Sequence, residues 1–191
     1  PPHAQTLEEN IDLQCPVGGL GRWTRKTLDS FPRKKHFLRA DPERTSWWQQ
    51  QLATMGNNRV KVGLYWRSSG EANAVHSAYP ALENWLPVLQ KPGLDVINLQ
   101  YGEDGERLAV ELGNKGITVH QPAEIDLFND IDDMAALTAA LDVYVGPTTL
   151  TAWLTAATGT PALVAGLPGD WVTMNEDCLP WLPQAHYFAR A

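Results

Sequence analysis

LDVYVGPTTLTAWLTAATGTPALVAGL, Leu141 to Leu167, packs two short apolar runs around a polar loop and a helical stretch. LDVYV (Leu141 to Val145) and PALVAGL (Pro161 to Leu167) have the length and β-branched content of buried strands. Between them TLTAWLTAATG has the composition of a helix, with a hydroxyl at its start and a glycine at its stop. Trp153, Ala156 and Ala157 are its packing positions, the alanines allowing close approach to a sheet. Strand, loop, helix, strand is the unit of a parallel sheet, so this stretch sets the expected fold class as α/β. The loop Gly146-Pro147-Thr148-Thr149 then reads in two ways, as a tight turn with a helix cap or as a ligand-binding loop at a helix N-terminus.

The same alternation extends upstream. RVKVGLYW (Arg59 to Trp66) is β-rich and runs into the polar loop Arg67-Ser68-Ser69-Gly70. PALENWLPVL (Pro80 to Leu89) places Leu82, Trp85, Leu86 and Leu89 at helical spacing. LDVINLQ (Leu94 to Gln100) repeats the strand signal, and GERLAVELGNKG follows as a helix with Leu108 and Leu112 four apart. GITVHQ (Gly116 to Gln121) is a third strand, and the acids Asp130, Asp132 and Asp133 precede the helical MAALTAAL, where the helix dipole favours negative charge. Nearly all-apolar strands separated by helices predict a Rossmann-like parallel sheet of five or more strands, covered by helices on both faces. Ligands of such sheets bind at the carboxyl ends of the strands.

Residues 1–58 lack this alternation and hold most of the basic charge. TSWWQQQLATMG is expected to form one helix ending at Gly56, and the whole segment to be the end of a preceding lobe plus a linker helix into a domain over residues 59–191. The opening PPHAQTLEENIDL, polar and without an initiator Met, is expected to be cut from a longer chain.

Composition narrows the partners. The 191 residues, 43% hydrophobic and 19% charged, suffice for one substantial core. With 22 acidic residues against 15 Lys and Arg, the formal charge of -7 opposes binding to nucleic-acid backbones and anionic lipid. No apolar run approaches the roughly 20 residues of a spanning helix, so no membrane span is expected. Cys15 and Cys178 form no metal or disulfide pattern, which suits a cytoplasmic location, and are expected to be small buried hydrophobes.

Three loops carry candidate chemistry. In Arg67-Ser68-Ser69, hydroxyls allow backbone approach to a diphosphate and the guanidinium offers a two-pronged donor, although RSSG is equally a solvated turn. In Gln100-Tyr101-Gly102, with Glu106 beyond, Tyr101 offers a face for a nucleobase and a carboxylate for a ribose hydroxyl, although an acid-rich capped helix start reads the same way. Thr148 and Thr149 are the third pair. The lone His120 reads as a surface residue. No Gly-x-Gly-x-x-Gly, P-loop, Gly-x-Ser-x-Gly or His-Glu-x-x-His pattern is present, and no metal site is expected.

Taken in order, VKVGLYWRSSG, YPALENWLPVL, LDVINLQYGEDGE, the stretch from Ile125 to Gly166, and LPWLPQAHYF resemble the C-terminal half of bacterial glycosyltransferases attached to tetratricopeptide repeats, which are similar to the heptosyltransferases of glycosyltransferase family nine. The resemblance spans residues 36 to 190, with FLRADPERTSWW similar to the connection between lobes. It implies one lobe of a glycosyltransferase B fold, the lobe that binds the nucleotide-sugar donor of an inverting, metal-independent transferase. The acceptor, a protein or a glycan, and the general base would belong to the absent lobe or repeats. By position, Arg67, Ser68 and Ser69 match the diphosphate loop, Gln100 to Gly102 and Glu106 the loop near the nucleoside, and Thr148 and Thr149 the last phosphate loop. Where heptosyltransferases carry Asp-Thr-x-x-x-His, this chain has Thr148 and Trp153 in place of Asp and His. That departure implies altered donor chemistry or lost activity. The alternatives are a non-catalytic binding or scaffolding domain of a repeat protein and, by fold analogy alone, a flavodoxin-like ligand domain.

Overall fold

The computed structural model describes residues 12–55, 59–67 and 80–189. Ser68, Ser69 and Gly56 lie outside the described residues. The chain divides into two compact units, Pro1–Pro32 and Arg33–Ala191. Among its described residues the first holds short turns, including the single-turn helix α1 (Gly21–Thr24), with no buried residue in any of them.

The larger unit begins with α2 (Pro42–Thr54). Its start follows from Asp41-Pro42-Glu43: the Asp41 carboxylate accepts from the Arg44 amide at 2.8 Å, and Pro42 sits in the first turn, where its missing N–H costs nothing. Alternating elements follow: β1 (Val60–Leu64), α3 (Leu82–Leu89), β2 (Leu94–Asn98), α4 (Glu103–Gly113), β3 (Val119–His120), α5 (Ile131–Ala139), β4 (Val143–Pro147), α6 (Leu150–Thr158) and β5 (Ala162–Gly166). Two further strands, β6 (Cys178–Leu179) and β7 (Leu182–Ala189), complete a seven-stranded sheet in the order β3-β2-β1-β4-β5-β7-β6. Every pairing is parallel except β6 with β7.

The strands are apolar on both sides because both faces are covered. On β1, Val62 and Leu64 join Val96, Leu108, Leu112, Leu82, Trp85 and Leu89 under α3 and α4. The alternate positions Tyr65, Ile97 and Tyr144 join Trp48, Leu52, Met134, Leu137, Ala152 and Ala156 under α2, α5 and α6. The period of two along each strand thus divides one sequence between two cores. Ala156 and Ala157 are buried against the sheet, and Trp153 packs at the margin of the same core. At the amino ends of the strands Lys61 and Asp95 form a buried ion pair at 2.5 Å, with Arg59 at 2.6 Å from the same carboxylate. Burial works to raise the Asp95 pKa, but the Lys61 and Arg59 bonds outweigh it and hold the carboxyl below its ordinary value.

Two expectations are corrected. The cysteines are not small buried hydrophobes: Cys15 is exposed and Cys178 half-buried, and both are free thiols. In place of a full third strand, only Val119 and His120 pair with β2. The edge position leaves one side of this strand without a partner, and Gly116 at φ 78° turns the chain before it.

Candidate functional site

β1 lies between β2 and β4, and the chain runs outward from it in both directions. The carboxyl ends of β1 and β4 therefore diverge into loops on opposite sides, the crevice in which open α/β sheets bind ligands. Arg67 after β1 and the candidate loops after β2 and β4 follow the carboxyl ends of these strands.

The loop after β2 is built by side-chain amides. Asn98 accepts from the Gln100 amide at 2.9 Å and donates through Nδ2 to the Gln100 carbonyl at 2.8 Å and to Gln121 Oε1 at 2.8 Å. Gly102, at φ 70° and ψ -168°, takes a conformation closed to residues with a Cβ and redirects the chain into α4. Gly105 lets the first turn of α4 lie on that loop, since a Cβ there would stand 2.2 Å from the Gln100 carbonyl oxygen.

Gln100 itself is 1% exposed. Its Oε1 accepts from the Arg67 amide at 3.3 Å, while its Nε2 is buried with no hydrogen-bond partner among the described residues. A buried unpaired donor of this kind costs about 1–3 kcal/mol.

Thr149 caps α6 and uses both of its hydrogen-bonding capacities. It accepts from the Ala152 amide at 3.5 Å and stands 3.2 Å from the Tyr144 hydroxyl, whose own proton goes to the Pro147 carbonyl at 3.0 Å. Thr149 is therefore the donor to Tyr144. Thr148, its neighbour, has a buried hydroxyl that faces the Tyr187 phenol without completing a bond of ordinary geometry. Tyr187 is committed to the Leu167 carbonyl at 2.9 Å and to Asp170 at 3.2 Å, and burial, reinforced by Asp170, pushes its pKa up to about 12. Gly146 permits the close approach of β4 to the chain leaving β1, because a Cβ there would meet the Tyr65 carbonyl oxygen at 2.2 Å.

Between these loops lie two adjoining clefts that share Tyr101, Leu127 and Phe128. The first, about 260 Å³, is floored by Tyr65, Met134, Thr151 and Leu154 and reaches Thr148 and Thr149. Its mouth is apolar, with Phe128, Ile131 and Leu150 all more than half exposed. The second, about 550 Å³, is mixed in character, with Asn98, Gln100, Glu106, Gln121 and Asp126 set among apolar lining residues that include Ile125. Tyr101 meets Phe128 edge to face at 4.9 Å, forming the partition.

The structure thus brings Gln100, Tyr101, Gly102 and Glu106 together on one cleft and Thr148 and Thr149 on its neighbour. Arg67 lines neither. Its guanidinium makes a two-pronged ion pair with Asp104, its Nε at 3.0 Å from Oδ2, and lies 4.9 Å from the Trp66 ring. His120 is half-buried, with Nε2 3.8 Å from Asp95. Tyr65 and Phe128 are lining residues that sequence reasoning missed. The signal for Phe128 was an aromatic isolated among the acids of IDLFNDIDD, in a loop leaving a strand's carboxyl end. Among the described residues no group of three or more His, Cys, Asp or Glu is placed to hold a metal ion, and no helix is long and apolar enough to cross a membrane.

The fold is the Rossmann-like α/β fold found in glycosyltransferases of family 9. The chain superposes on the family 9 glycosyl transferase of Veillonella parvula with a TM-score of 0.56 and 13% identity, over 85% of this chain and 44% of that one. It superposes on the E. coli ADP-heptose LPS heptosyltransferase II (TM-score 0.53, 17% identity, 87% of this chain, 49% of that one). The E. coli heptosyltransferase WaaC with ADP gives a TM-score of 0.51 at 15% identity, over 85% of this chain and 47% of that one. Among curated proteins the chain is similar to Protein FlbA of Caulobacter vibrioides, 35% identical over 181 residues, 94% of this chain and 30% of FlbA. It therefore spans less than a third of FlbA and less than half of each of these transferases. No protein-family model matches it.

Proposed function

We propose that this chain is the nucleotide-sugar-binding lobe of a bacterial, cytoplasmic glycosyltransferase that carries tetratricopeptide repeats and transfers a sugar to a protein or glycan acceptor. One observation carries the reading: the buried Gln100 Nε2, with no partner among the described residues, stands at the carboxyl end of β2, on a cleft walled by Tyr101 and Phe128, at the switch point of a Rossmann-like sheet. A ligand acceptor placed there relieves an existing desolvation cost, so binding gains energy that solvent cannot supply equally to the free protein. The aromatic partition offers a stacking face for a base. The N-terminus of α6 and the Arg67 guanidinium offer positive charge for a diphosphate, in a mechanism that needs no metal. Acceptor and general base belong to parts of the protein outside this chain.

Structures of full-length transferases that share this fold have been obtained for ADP-heptose LPS heptosyltransferase II and for WaaC with ADP, which makes a nucleoside diphosphate sugar the first ligand to test. Calorimetric titration of the chain with ADP, GDP, UDP and CDP should give weak binding of one of them and no sugar transfer from its sugar conjugate. Absence of binding to all four, both by this chain and by the full-length protein, would sink the proposal. A second reading, a binding domain that transfers nothing, is favoured by one feature: among the described residues lining the apolar cleft there is no titratable group other than the phenols of Tyr65 and Tyr101.

A further inference from the structure

Arg67, just past β1, points its guanidinium at the first turn of α4, and its fork is already occupied. Its Nε and Nη2 both bond the Asp104 carboxylate, side by side, in the geometry a guanidinium uses for a phosphate. Arg107, one turn along α4, reaches the same Asp104 Oδ1 at 2.6 Å. Arg67 and Asp104 are largely shielded, their side chains 26% and 19% exposed, whereas that of Arg107 is 53% exposed. One carboxylate is thus shared by two guanidiniums, one largely shielded beside the end of β1 and one facing solvent.

We infer that Asp104 is a built-in stand-in for the ligand's phosphate, which the incoming anion must displace from Arg67, and that Arg107 makes the exchange cheap. This rests on the nucleotide-sugar reading of the site and deepens it. When Arg67 turns to a diphosphate, Asp104 keeps Arg107 as its partner, so no carboxylate is left unpaired near a second anion. The cluster carries a net charge of +1 with Asp104 ionised and +2 without it. With Asp104 in the fork, the Arg67 guanidinium lies 4.9 Å from the Trp66 ring, a cation–π contact that favours its charge. Asp104 therefore sets the affinity of the site for anions and lowers it, while Arg107 partly restores it.

The test compares wild type, Asp104→Asn, Arg107→Ala and Asp104→Asn/Arg67→Ala in the 191-residue chain. Two readouts are used: calorimetry with whichever of ADP, GDP, UDP and CDP binds, and the Arg67 Nε–Hε resonance during titration with inorganic pyrophosphate. Asp104→Asn should tighten nucleotide binding about tenfold and shift the Arg67 resonance before any ligand is added, removal of a charge-assisted partner having effects of that order. Arg107→Ala should weaken binding, and the gain from Asp104→Asn should vanish when Arg67 is also removed. Unchanged or weakened affinity in Asp104→Asn would make Asp104 a positioning residue and overturn the inference. An Arg67 resonance that pyrophosphate leaves in place would overturn it as well. If pyrophosphate moves that resonance while no nucleotide binds either the chain or the full-length protein, the exchange stands and the nucleotide-sugar reading falls.

Discussion

A carboxamide buried to 1% exposure, its nitrogen without a partner among the described residues, is a liability to folding, and Gln100 carries it although Asn98 bonds both its backbone amide and its carbonyl. Replacing it with Leu removes the unpaired donor at the cost of a long bond from the Arg67 amide. Gln100→Leu should therefore leave stability unchanged or raise it by up to about 1 kcal/mol, while weakening nucleotide binding about tenfold. A paired loss of both stability and binding in thermal denaturation and calorimetry would mean that Gln100 is structural. Gly105→Ala tests the same loop from the other side. Its Cβ would stand 2.2 Å from a backbone oxygen that cannot turn away, so a loss of about 1–3 kcal/mol is expected in urea denaturation. Sequence alone placed Gln100 and Tyr101 on the loop after β2, because strand ends are legible from hydrophobic runs, whereas Glu106, expected on the same loop, lies in the first turn of α4. It could not reveal that Arg67 pairs with Asp104, since that contact joins the end of β1 to the first turn of α4 and depends on how α4 lies on the sheet.

At the scale of elements, capping chemistry explains why the helices start where they do. Thr149 for α6 and Asp130 for α5 bond the amides of Ala152 and Asp133, and both starts were legible from residue type and position. Thr149→Ala should cost about 1 kcal/mol of stability by removing the cap, with Thr149→Ser restoring most of it, as read by the denaturation midpoint. The reach of α2 was not legible. Its Arg44 grips Asp133 of α5 with both prongs, at 2.7 and 2.5 Å, and Trp48 Nε1 donates to the same carboxylate at 2.8 Å. Asp133 lies between Ile131 and Met134, which both line the apolar cleft, so α2 steadies one wall of the site. The bond from Arg44, helped by Trp48, holds the Asp133 carboxyl below its ordinary value despite burial. A carboxyl depressed in the folded state contributes stability that is complete above its unfolded pKa of about 4 and lost as pH falls through the folded value. Asp133→Asn should thus lower the melting temperature at pH 7 and flatten its fall as pH drops below about 4. An unchanged slope in that window would show that this carboxyl stays paired to the same extent in the unfolded chain.

Across the whole molecule, alternation of short apolar runs and helices announced a two-faced parallel sheet, and five of the seven strands follow from it. The β6–β7 hairpin did not. In LPQAHYFA, Pro183 breaks the run, and only Ala185 and Tyr187 alternate inward against exposed His186 and Phe188. That signal is too short to separate from a loop, and pairing with β5 over Ala162 to Gly166 is what makes the segment a strand. The order β3-β2-β1-β4-β5 puts the Gln100 loop and the Thr148 loop on either side of β1, far apart in sequence and adjacent in space. The central claim is that this crevice is where a nucleotide binds. The most direct test is a set of ¹⁵N–¹H spectra of the chain, titrated with the nucleoside diphosphate that calorimetry selects. The account predicts that the Gln100 side-chain NH₂ resonances move together with the amides of Tyr101, Phe128, Thr148 and Thr149, while those of Lys91 and Lys115 at the opposite end of the sheet stay in place. Shifts confined to that opposite end, or none at saturating ligand, would contradict it.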